Sequence, residues 1–137
     1  MTRPTLHLIQ GGTPARRATR AREIAWETGA IVLDEAVTRA TLWPRPPRDA
    51  DERLARSARL AAALDPVLRG ALGAGVGVVL SIAARDGVQQ ARLARLAWDA
   101  RAACHLHDLR SGRVAPDDPG PWRCGLADHP GDAAVMA

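Results

Sequence analysis

The chain contains no lysine, asparagine, phenylalanine or tyrosine, and only two cysteines in 137 residues. Each gap excludes something. Cys104 and Cys124 cannot build the disulfide framework of a small secreted scaffold, so a reducing cytoplasm is the expected setting. Aromatic residues make up 3%, and Trp26, Trp43, Trp98 and Trp122 are scattered, so no stacking platform for nucleic acid accompanies the basic residues. Long apolar runs are also missing. The longest, residues 71–84, is broken by glycines and too short to span a bilayer. Leu6, Leu8 and Ile9 are too few for the apolar core of a signal peptide. No membrane association is expected.

The positive charge that remains is all arginine: 19 residues, a formal charge of +4 and a pI near 10.8. That balance permits nucleic-acid binding. Abundant alanine, arginine, glycine and proline are the mark of a GC-rich coding sequence, however, and the charge is not gathered in a tail. A basic nucleic-acid-binding module therefore stands third among the functional readings. At this length one domain is expected, burying roughly 68% of the unfolded surface.

Hydrophobic periodicity orders the chain as strand, helix, strand, helices, strand, helix, strand. Residues 5–10 read as a buried strand closed by Gly11-Gly12, and Pro14 opens a helix, where its missing N–H costs nothing. Ala18, Ala21, Ile24, Ala25 and Thr28 fall on one side of that helix. Arg16, Arg17, Arg20, Glu23 and Glu27 take the other, with Arg20 placed to pair with Glu23, and Gly29 stops the helix. Residues 30–33 read as a second strand, apolar enough to be covered on both faces, ending in Asp34-Glu35 before a short helix. Three prolines within residues 44–47 make a stiff connection. Leu54, Ala58, Ala61, Leu64, Leu68 and Leu72 predict one buried helical face, with a kink or break at Asp65-Pro66. Residues 76–82 read as the strongest strand, a helix begins at Asp86 or Gly87, and residues 104–109 form a fourth strand. Beyond Ser111 the pattern stops. Residues 1–110 are thus an α/β domain and 111–137 a Pro/Gly/Asp-rich tail, which Trp122 and Leu126 would tie down.

Between the first strand and first helix, Gly11 to Thr19 stands where nucleotide-binding folds carry a phosphate loop. With the strand ends at Asp34 and Ser81, this arrangement resembles the P-loop kinases, in particular the zeta-toxin-like and small-molecule phosphotransferase branch. The resemblance covers about residues 5–109 and implies a three-layer P-loop NTPase-like domain with a short parallel sheet ordered 2-3-1-4. It also implies ATP with magnesium as cofactor. Residue by residue, the chemistry is missing from the motif. Gly11 matches the first glycine of G-x-x-x-x-G-K-[ST], but Arg16 replaces the second glycine, Arg17 the lysine and Ala18 the magnesium-binding Ser/Thr. Thr19 offers a hydroxyl one place later, and Ser81 replaces the aspartate that would orient magnesium. Phosphoryl transfer depends on positioning and charge neutralisation, so a site without these groups is a very poor kinase. The family continues through a fifth strand and an arginine-bearing lid, so the version expected here is degenerate and truncated.

The expected function is therefore a kinase-like protein without efficient phosphotransferase activity, acting through a protein partner or self-association. Weak nucleotide or anion binding would fall to Gly11, Gly12, Arg16, Arg17, Thr19 and Arg20. The alternative is a divergent ATP-dependent small-molecule kinase, with Arg17 in place of lysine and Asp34 as acceptor-side base. Asp34 can equally cap the short helix. Trp43 or an outward Trp98 would supply a partner surface. Cys104, His107, Cys124 and His129 have zinc-like spacing, yet residues 104 and 107 on one strand point to opposite faces. No metal site is expected, and His105 with His107 on one face reads as ordinary packing.

Overall fold

The computed structural model describes residues 3–82 and 87–109. The tail with Trp122, Cys124, Leu126 and His129 lies outside them, as does Asp86. The elements run β1 (Thr5–Gln10), α1 (Pro14–Thr28), β2 (Ile31–Asp34), α2 (Glu35–Leu42), α3 (Ala50–Gly73), β3 (Val78–Ser81), α4 (Gly87–Asp99) and β4 (Ala103–Asp108). The four strands form one parallel sheet in the order β2-β3-β1-β4, the expected α/β architecture.

Alternation along the strands divides the core. Leu6, Leu8, Val78, Leu80 and Cys104 face Leu68 and Leu72 of α3 and Leu93, Leu96 and Ala97 of α4. Ile9 and Val79 face Ala21 and Ile24 of α1 on the other side. This split follows from handedness. The β1-to-β2 crossover moves one way across the sheet and the two later crossovers move back, so right-handed connections must lie on opposite faces. All four β3 residues are buried, as the central position requires. No helix among the described residues is long and apolar enough to cross a membrane.

Three expectations need correction. β2 is an outer strand paired only with β3 among the described strands, and Ile31 and Val32 are each 41% exposed rather than covered on both faces. The long helix α3 runs without a break through Pro66. Proline removes one amide bond, to the carbonyl of Ala62, and both residues lie on the exposed side, where water can serve that carbonyl. Asp65 caps nothing there; its Oδ1 accepts from Arg92 Nη1 of α4 at 2.6 Å. The buried face of α3 also starts later than the apolar spacing implies. Leu54 is 68% exposed and Ala58 is exposed, while Leu60, Leu68 and Leu72 are buried.

Candidate functional site

In open α/β sheets ligands bind beyond the carboxyl ends of the strands, where neighbouring strands send their connections to opposite faces. Here that point lies between β1 and β3, whose connections leave toward α1 and α4. Ile82 N–H donates to Ile9 O at 2.9 Å and carries the pairing just past β3.

The turn leaving β1 is only Gly11-Gly12-Thr13. Both glycines take positive φ, +78° and +65°, the left-handed region that other residues enter at a cost. Thr13 is the N-cap of α1: its Oγ1 accepts from Arg16 N at 3.1 Å and its carbonyl from Arg17 N at 3.0 Å. Pro14 has no N–H to offer. The helix thus begins where the motif alignment still required loop, and Arg16, Arg17 and Ala18 lie within its first turns.

Arg17 corrects the predicted outward face. It is 7% exposed, and its Nη1 donates to both Gly11 O (3.2 Å) and Gly12 O (3.1 Å). A phosphate site needs donors converging on an anion, commonly from alternating right- and left-handed residues. Two successive left-handed glycines here turn acceptors toward Arg17, and its guanidinium satisfies them. The predicted anion-binding residues consequently separate into two groups. Gly11, Gly12 and Arg17 form one self-contained unit. Arg16, Thr19 and Arg20 line a shallow depression of about 320 Å³ beside α1, with Ala15, Glu23 and Leu109. Arg20 Nη1 pairs with Glu23 Oε2 at 3.1 Å, as the helical spacing suggested, and Arg22 Nη2 reaches Thr19 Oγ1 at 3.4 Å. Arg20 Nε is buried without a hydrogen-bond partner among the described residues.

Asp34 is the N-cap of α2, its Oδ1 accepting from Val37 N at 3.2 Å. Its neighbour Glu35, 4% exposed, enters the adjoining cleft and accepts from Arg39 Nη2 at 2.9 Å and Gln89 Nε2 at 3.3 Å. That cleft, about 360 Å³ between α2, α3 and α4, has Leu80 and Leu93 among its apolar lining and Leu54 and Val88 at exposed positions. Its charges are internally paired, Arg39 with Glu35 and Arg92 with Asp65. On the same side of the sheet Gln90 Nε2 donates to Gln10 Oε1, and Gln10 Nε2 to Asp108 Oδ2 at 3.4 Å. Ser81 is buried at the end of β3, between Ile9 and Asp34. Trp43 and Trp98 are half-buried, with the Arg56 guanidinium 5.4 Å from the Trp43 ring centre. Among the described residues the exposed tryptophan is Trp26, at 91%.

One constellation was absent from the sequence reading. The parallel register sets His7 opposite His105, and His107 follows two residues on, so three imidazoles share the α1 side of the sheet. Their ring centres lie 5.4 to 6.2 Å apart, and His7 Nδ1 and His107 Nε2 are hydrogen-bonded at 3.2 Å. One ring nitrogen from each lies within 4.8 Å of those of the others. Burial pushes His7 down to about 4, helped by the charges of His105 and Arg20. Burial likewise pushes His107 down to about 3, with His7, Arg20 and His105 adding to it. Both rings are neutral at pH 7. His105 with His107 was visible as a same-face pair; His7, a hundred residues from His107, enters only through strand order and register.

No family model matches the chain, and no curated protein matches it in sequence. Among solved structures, it is similar to a protein from Chloroflexus aurantiacus J-10-fl described as a "putative kinase", with a TM-score of 0.63 and 15% identity. At that identity the likeness is one of fold; the alignment covers 79% of this chain and 60% of the other, less than two thirds of that protein.

Proposed function

We propose that this chain is a kinase-fold domain that does not transfer phosphoryl groups and acts by binding. The observation that carries this reading is the double hydrogen bond from buried Arg17 Nη1 to Gly11 O and Gly12 O. The side chain that would replace the phosphate-loop lysine is spent on the turn itself. The early start of α1 at Pro14 shortens the loop, and Asp34, the candidate base, is engaged as a helix cap. Partner binding would use the apolar mouth of the α2–α3–α4 cleft, where Leu54 and Val88 stand exposed.

Thermal unfolding with and without Mg-ATP tests the catalytic half of this reading. A nucleotide at 100 times its Kd stabilises the folded state by about 2.7 kcal/mol, enough to move the midpoint by several degrees. The expected result is no saturable, magnesium-dependent shift. Such a shift, lost in Arg17→Ala, would favour the divergent kinase, with Asp34 as base, over this reading. A shift with oligonucleotide alone, weakening steeply with salt, would favour the nucleic-acid module. Sedimentation over a concentration series, repeated with Leu54→Arg, tests whether the partner at the cleft is a second copy of the chain.

A further inference from the structure

We propose that His7, His105 and His107 form a binding site for one divalent transition-metal ion, zinc foremost, which clamps β4 to β1. The inference is independent of the nucleotide question, because these residues lie on the strands and not on the β1–α1 turn. Three imidazole nitrogens suit zinc and its borderline neighbours rather than calcium or magnesium, which take oxygen ligands.

The geometry is close to what the ion requires. Tetrahedral zinc with bonds of 2.0–2.1 Å holds its ligand nitrogens about 3.3–3.4 Å apart. His7 Nδ1 and His107 Nε2 are already 3.2 Å apart, but as hydrogen-bond partners they point along the line between them, so both rings must turn for their lone pairs to converge on the ion. One nitrogen of each ring lies within 4.8 Å of those of the other two, so half-buried His105 must also shift by about 1.5 Å as the rings turn toward the ion. The backbone fixes the rest. His7 and His105 are direct partners in a hydrogen-bonded ladder, and His107 stands on the same strand and face as His105.

Proton accounting is also simple. The His7–His107 hydrogen bond holds one ring N–H between two lone-pair positions. When the metal takes both nitrogens, that proton moves to the far nitrogen of the same ring, and both rings stay neutral. The nearby cation is Arg20; Glu23 Oε2 holds its Nη1 and offsets part of its charge, and the remainder, which lowers His7 and His107, also acts against the ion. With three protein ligands the fourth position is left for water or another donor, the composition of an open rather than a closed zinc site.

The test is Zn²⁺ titration of the full chain after chelator treatment, with Co²⁺ absorption in parallel. One equivalent is expected to bind, with visible d–d bands of a low-coordinate Co²⁺ centre. His105→Gln and His7→Gln should each weaken binding by at least about tenfold. Since these variants can disturb folding, nitrogen-15 NMR of the wild-type histidine rings supplies a second measurement. The ring nitrogens of His7, His105 and His107 should shift together and stop at one equivalent. Binding of equal strength in a His7→Gln/His105→Gln/His107→Gln variant, or three rings unmoved by one equivalent of Zn²⁺, would overturn the site.

Discussion

Replacing Arg17 with alanine separates a strut from a ligand. In the folded chain the guanidinium makes two hydrogen bonds to turn carbonyls at 3.1 and 3.2 Å and is 7% exposed. Bonds from a charged donor contribute about 1.5–3 kcal/mol each. Gly12 is exposed and Gly11 partly so, which lets water replace much of that contribution. The buried aliphatic stem adds about 0.8 kcal/mol per methylene. Against these stand the desolvation of the guanidinium and about 2 kcal/mol of side-chain entropy, both recovered on truncation. The balance is a loss of about 2 kcal/mol, or roughly 6–8 °C in midpoint for a domain of this size. Arg17→Met keeps most of the stem and loses both bonds, so it should fall between wild type and alanine. Urea and thermal unfolding at pH 7.5, without nucleotide or phosphate, are the assays. An alanine variant as stable as wild type would refute the strut and leave Arg17 free to serve a bound anion.

Gly12→Ala should cost more than Gly29→Ala in the same assay. Both sites have positive φ, worth about 1–2 kcal/mol for a residue with Cβ, but a Cβ at residue 12 would also stand 3.2 Å from Leu109 Cβ, while at residue 29 nothing lies within 4 Å. Asp34→Ala should lose about 1 kcal/mol of stability with its cap, and Asp34→Asn, which preserves the capping oxygen, should stay near wild type. With a chelator present, stability should fall as pH drops below about 6.5. His7 and His107 stay neutral in the fold down to about 4 and 3, whereas the unfolded chain takes up their protons near the ordinary histidine value. Their contribution is complete above that value and is lost toward the folded ones. Midpoints at pH 7.5 and 5.5 should therefore differ less in His107→Gln than in wild type.

The order of elements and the strand order were legible because they rest on local signals and on their resemblance to a known arrangement. The six-residue run of β1, Pro14 at the head of α1 and Gly29 at its end each announce a boundary chemically. Burial was less legible. Helical spacing places Arg17 beside Arg16 and Arg20 on a polar face, but one α-helical face covers a turn as well as a sheet. The carbonyls of two left-handed glycines made the first turn of α1 a place where a cation is buried with its bonds satisfied. Leu54 shows the converse. Its spacing is that of a core residue, but the first turns of α3 extend beyond the cores formed by the described elements, and apolar identity alone could not reveal that.

The histidine cluster shows what sequence spacing omits. His105 and His107 share a face by the two-residue period of any strand, whatever their neighbours. His7 joins them only if β4 lies beside β1 and if the pairing runs Thr5 to Ala103, which the bond from Ala103 N to Pro4 O supports at 2.9 Å. A slip of one residue would set His105 opposite Leu6 or Leu8 and bring side chains of the wrong face alongside it. The core opposes such a slip. Cys104 must stay on the α4 side with Leu6 and Leu8, and a slip would drive histidine into the α3–α4 core. The burial pattern that specifies the register therefore also gathers the three imidazoles. A metal clamp there would reinforce a pairing that the core already selects.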